Sequence, residues 1–188
     1  MDIKKGLSFV AFGFLFTLVN FNLTLNGSSL NVMPDFVGWI LFYFAFDRLG
    51  TYISDKKYLK WISLILALLT AALWIFELAK PELNVDIFNT ATTAAAAVYM
   101  FILFGVLENI AKDYNSSRTD TIRMLKILNL GLYIAFIVFA LVYYFTKENT
   151  FAVITAFIGI VMLVAAIFTA FVLFGLRKEV KEYMPEEV

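Results

Sequence analysis

Residues 20–38 read N-F-N-L-T-L-N-G-S-S-L-N-V-M-P-D-F-V-G, a polar insertion without lysine or arginine between two strongly apolar segments. Phe21, Leu23 and Leu25 alternate with Asn22, Thr24 and Asn26, and Leu30 and Val32 flank Asn31. Asn26-Gly27 separates the two alternating runs, and this pair tolerates the positive φ that a tight turn requires, so the stretch predicts a β-hairpin. Pro34-Asp35 then marks the start of a helix. Proline has no N–H to lose there, and a carboxylate suits the positive end of the helix dipole.

The chain around this insertion is greasy. Of 188 residues 62% are hydrophobic, with a mean hydropathy of +0.83, against about half apolar in soluble domains. That leaves room for several membrane spans and none for a separate soluble domain. Lysine plus arginine balance aspartate plus glutamate, so no nucleic-acid partner is expected. Cysteine and histidine are both missing, which excludes thiolate nucleophiles, histidine bases and His-ligated or Cys-ligated metals. No phosphate-binding loop, dinucleotide fingerprint, nucleophile elbow or HExxH stands in the chain. The expectation is a protein that is not an enzyme and holds neither cofactor nor metal.

Six apolar segments lie at about 6–23, 34–49, 59–79, 85–107, 125–146 and 151–176. The last four reach the roughly 20 residues that a crossing takes; the first two are shorter, and form either a short spanning pair or a re-entrant one. With six spans and a cytoplasmic N-terminus, every lysine and arginine except Lys80 and Lys147 falls on the inner side. Positive residues are retained there, so the expected location is the cell membrane, multi-pass, with both termini cytoplasmic. Residues 177–188 form a short charged tail. The expected fold is an all-α integral membrane protein: a six-helix transmembrane bundle with a β-hairpin-like outer loop between helices 1 and 2.

On this topology Asn20, Asn22, Asn31, Asp35 and Glu77 cluster on the outward side and are the candidate ligand-binding residues. Asp35 is either a cation or amine ligand or a dipole partner of its own helix. Glu77 is either a mouth carboxylate or a surface residue within reach of Lys80. No ionisable residue falls at the centre of the four long segments, which disfavours ion pumping. Small residues recur four apart, as in Ser63, Ala67 and Ala71 or Thr90 and Ala94, and let membrane helices approach closely. Trp39, Trp61 and Trp74 read as an aromatic belt at headgroup level. The motif F-x-L-F-G ends the fourth and sixth segments, which raises a repeat of three helical hairpins against simple similarity of composition.

The segment Asn31-Val-Met-Pro34-Asp35-Phe36-Val-Gly38-Trp39 resembles one found in small uncharacterised six-span membrane proteins of Gram-positive bacteria. That resemblance implies no function. The chain is also similar in shape to the substrate-binding S-components of energy-coupling-factor transporters, in which a proline followed by a glycine leads into the second span, as Pro34 and Gly38 do here. The first segment lacks the pair of alanines four apart with which that family docks its transmembrane partner, and no ligand residues are carried over. The expected partners are the lipid bilayer, a small solute at the outward face as for a transporter subunit, or, alternatively, another membrane protein or a second copy that this chain regulates or scaffolds.

Overall fold

Helix length decides the architecture. The structure, a computed structural model, describes residues 2–18, 22–25, 28–31, 34–79 and 86–182. In order these form α1 (Ile3–Leu18), β1 (Asn22–Leu25), β2 (Ser28–Asn31), α2 (Asp35–Leu49), a 3-10 turn (Gly50–Lys56), α3 (Tyr58–Ala79), α4 (Asp86–Asp113), α5 (Thr119–Thr146) and α6 (Asn149–Glu182). Helices α3 to α6 contain stretches long and apolar enough to cross a membrane: Tyr58–Phe76, Phe88–Asp113, Thr119–Thr146 and Asn149–Val180. The protein is therefore a multi-pass, largely helical membrane protein.

The expectation of six spans is corrected to four. α1 has 16 residues and α2 has 15. At about 1.5 Å per residue each falls short of a hydrocarbon core of about 30 Å. The first apolar segment runs to residue 23 by hydropathy, but α1 stops at Leu18, and Asn22–Leu25 belongs to β1. β1 pairs antiparallel with β2 in the register Asn22↔Asn31, Leu23↔Leu30, Thr24↔Ser29 and Leu25↔Ser28. The Asn26-Gly27 pair lies outside the described residues.

α1 packs chiefly on α2 and α6, α2 on α3, and α5 on both α4 and α6. Two glycines set the α1–α2 crossing. A Cβ on Gly38 would stand 2.5 Å from the Thr17 methyl and 2.7 Å from the Gly13 carbonyl oxygen, and one on Gly13 would stand 2.6 Å from the Phe42 ring. Backbones approach this closely because lipid supplies no hydrophobic drive for packing, and dispersion contacts must replace it.

At the end holding the α1 N-terminus, the 3-10 turn and the α4–α5 connection, charges tie helix to helix. Lys60 bridges Asp47, and Arg118 and the hydroxyls of Ser116 and Ser117 bond Glu179 across to α6. The Arg118 guanidinium lies flat against Gly175, where any side chain would collide with it. This is the basic end of the molecule. α6 continues to Glu182, so the first part of the expected tail is helical.

The core occupies only the half of the bundle next to the basic end. Toward the hairpin end, among the described side chains, the last buried residue is Thr17 in α1, Ala67 in α3, Ala96 in α4, Tyr133 in α5 and Ile158 in α6; in α2 burial begins at Gly38. Beyond that level the described side chains of the long helices are half-buried or exposed. Among the described side chains, close packing is thus confined to the lower half and loosens above it.

Candidate functional site

The level at which the core stops is built by the short helices. Pro34, with φ −69° and ψ 132°, caps α2 without itself being helical, and its carbonyl accepts the Val37 N–H at 3.1 Å. Asp35 is the first helical residue. One turn on, Trp39 is buried edge-on to Tyr99 of α4, with ring centroids 5.1 Å apart, and to Phe42 at 5.5 Å. Phe36 meets Trp74 of α3 edge-on at 5.8 Å. Tyr99 and Tyr133 stand near the midpoints of α4 and α5.

These contacts place Asp35, half-buried, just above the closed core. One oxygen of its carboxylate, Oδ1, is withdrawn from solvent. Around it the floor is polar in small measure. Thr17 is buried and donates its hydroxyl to the Gly13 carbonyl at 3.0 Å, and Asn129, one turn below Tyr133 on α5, donates to the Leu125 carbonyl at 2.9 Å. Tyr99 turns its buried hydroxyl toward Ser63 without closing a hydrogen bond, while Ser63 donates to the Lys60 carbonyl at 2.7 Å. Above the floor, Thr70, Thr93 and Thr155 are half-buried, each bonding a carbonyl four residues back at 2.7–2.8 Å. Each such hydroxyl keeps acceptor capacity for a guest.

Of the five candidate residues, Asp35 alone has a described side chain, and it takes the central place. Asn22 and Asn31 are Cα partners that close the base of the hairpin, next to the start of α2. Glu77 lies in the last turn of α3. Asn20 lies outside the described residues. Among the described residues no group of three or more carboxylates gathers as a metal site. Trp39 is not a belt residue, since it is buried in the bundle, whereas Trp61 is exposed. Ala67 is buried within the monomer, as are Ala166 and Ala170.

Sequence reasoning missed Thr17, Asn129, Tyr133 and Tyr99. A usable signal existed: Asn129 and Tyr133 are four apart in an otherwise apolar stretch, so one helical face carries both polar groups. No family model, curated protein or solved structure matches the chain.

Proposed function

We propose that this membrane protein is not an enzyme but binds a small cationic or amine-bearing solute in the open half of the bundle, with Asp35 as the counter-charge. The observation that carries this reading is the position of Asp35. A carboxylate within the thickness of the membrane is costly, and such groups mark ligand or ion paths. The aromatic rings of Trp39, Phe36 and Trp74 beside it suit an organic cation, which gains from ring faces as well as from the carboxylate. The basic end faces the cytoplasm in this reading, following the retention of positive charge, and the open half faces outward.

Native mass spectrometry of the protein, gently extracted from its own membranes, tests this. Wild type carries a stoichiometric small-molecule adduct; Asp35→Asn, with an unchanged melting midpoint, loses it, with affinity reduced by roughly ten- to a hundredfold, as for a lost charge-assisted hydrogen bond. Equal retention by a well-folded variant overturns the assignment.

A second reading, assembly with another membrane protein, draws on Ala91, Ala94 and Ala95, which are exposed on α4. In that case Ala94→Leu abolishes co-purification of the partner and Asp35→Asn leaves it intact.

A further inference from the structure

Where α4 and α5 run side by side at the basic end, Phe101, Gly105, Glu108 and Lys112 follow one another at helical spacing along one face of α4. Arg123 and Lys126 meet them from α5. The Glu108 carboxylate is buried, and three cations converge on it: Lys112 at 2.8 Å, Arg123 Nε at 3.1 Å and Lys126 at 3.9 Å. Asp120, the other carboxylate here, is 95% exposed and stands 3.7 Å from Arg123. Gly105 has no side chain, and the nearest atom to a Cβ built there is Lys126 Nζ at 3.7 Å. The lysine stem therefore crosses the glycine and brings its ammonium 4.5 Å from the centre of the Phe101 ring.

Glu108 thus anchors three positive groups without neutralising them. Lys112 and Arg123 remain about half exposed, with donors to spare. This surplus lies near one end of two membrane-crossing helices. Just beyond it, away from the basic end, the surface turns apolar: Phe101 on α4 and Ile127 on α5 are exposed. Phosphate oxygens would satisfy the spare donors, and acyl chains would cover those side chains.

We propose that this groove binds the phosphate headgroup of an anionic phospholipid, held by Lys112, Arg123 and Lys126, with its acyl chains along α4 and α5. Free inorganic phosphate shares the headgroup chemistry, but the apolar flank selects the lipid. The site is independent of Asp35 and lies at the opposite end of the short helices.

The test is delipidated protein in detergent, titrated with phosphatidylglycerol or phosphatidylcholine and read by native mass spectrometry and by the melting midpoint. Phosphatidylglycerol binds in preference, and the double variant R123Q/K126Q loses that preference by on the order of tenfold or more, at about 1 kcal/mol per removed charge. The single variant K126Q, which leaves both bridges of Glu108 to Lys112 and Arg123, loses part of it even if the double variant folds poorly. K178Q, an exposed charge on α6 at the same end, leaves it unchanged. Equal binding of the two lipids overturns the proposal. So does an equal loss in K178Q, or displacement of the lipid by millimolar inorganic phosphate.

Discussion

A carboxylate inside a membrane protein is expensive and marks ligand or ion paths, and that is what makes Asp35 informative. Its position was legible from the Pro34-Asp35 pair, but its depth was not. The four long segments carry no ionisable residue at their centres, whereas this carboxylate arrives on a helix too short to cross. A second residue-scale effect lies outside the spans. In the 3-10 turn, burial, reinforced by Tyr114 and Asp113, pushes the Tyr52 phenol up from 10.0 to about 12. The fold therefore prefers the neutral phenol. Its contribution is complete below pH 10, and it is lost as the pH climbs through 12. Melting midpoints measured across this alkaline range should fall more steeply for wild type than for Tyr52→Phe, and superimposable curves would remove Tyr52 from the account.

Among the elements, the α1–α2 pair differs most from its sequence reading, and the cause is specific. Leu23 closes the first apolar segment by hydropathy, yet it also belongs to the period-two run that predicts the hairpin, and the structure gives it to β1. Where the two signals overlap, the strand period decides the helix end. Gly13 and Gly38 were equally quiet in the sequence, because a glycine in a membrane helix shows its purpose only when the opposing backbone is known. Gly38→Leu should destabilise the bundle by about 1–3 kcal/mol, the usual cost of overpacking, and lower its melting midpoint. At Gly131 an added Cβ would meet no neighbouring atom within 4 Å, so Gly131→Ala should be tolerated. A melting midpoint for Gly38→Leu equal to that of wild type would show that the crossing relaxes.

For the whole molecule, membrane class and charge asymmetry could be read directly from composition and the placement of lysine and arginine. The half-open bundle could not, because it depends on how high each helix stands beside its neighbours. The absence of cysteine allows a direct check. Single cysteines at Thr70, Thr93 or Thr155 should react with a water-soluble maleimide applied from outside intact cells. Cysteines at Ala166 or Ala170, inside the closed half, should not. Labelling of both sets, or of neither, would contradict the open upper half.

The shortness of α1 and α2 also bears on how the chain is made. Neither helix is long enough to span on its own, and α1 finds one of its two principal partners in α6, which is made only after α3, α4 and α5. α1 therefore leaves the ribosome well before one of its two packing surfaces exists. Until α6 arrives, α1 has only α2 of its two chief partners to lean on, so its seat is completed late.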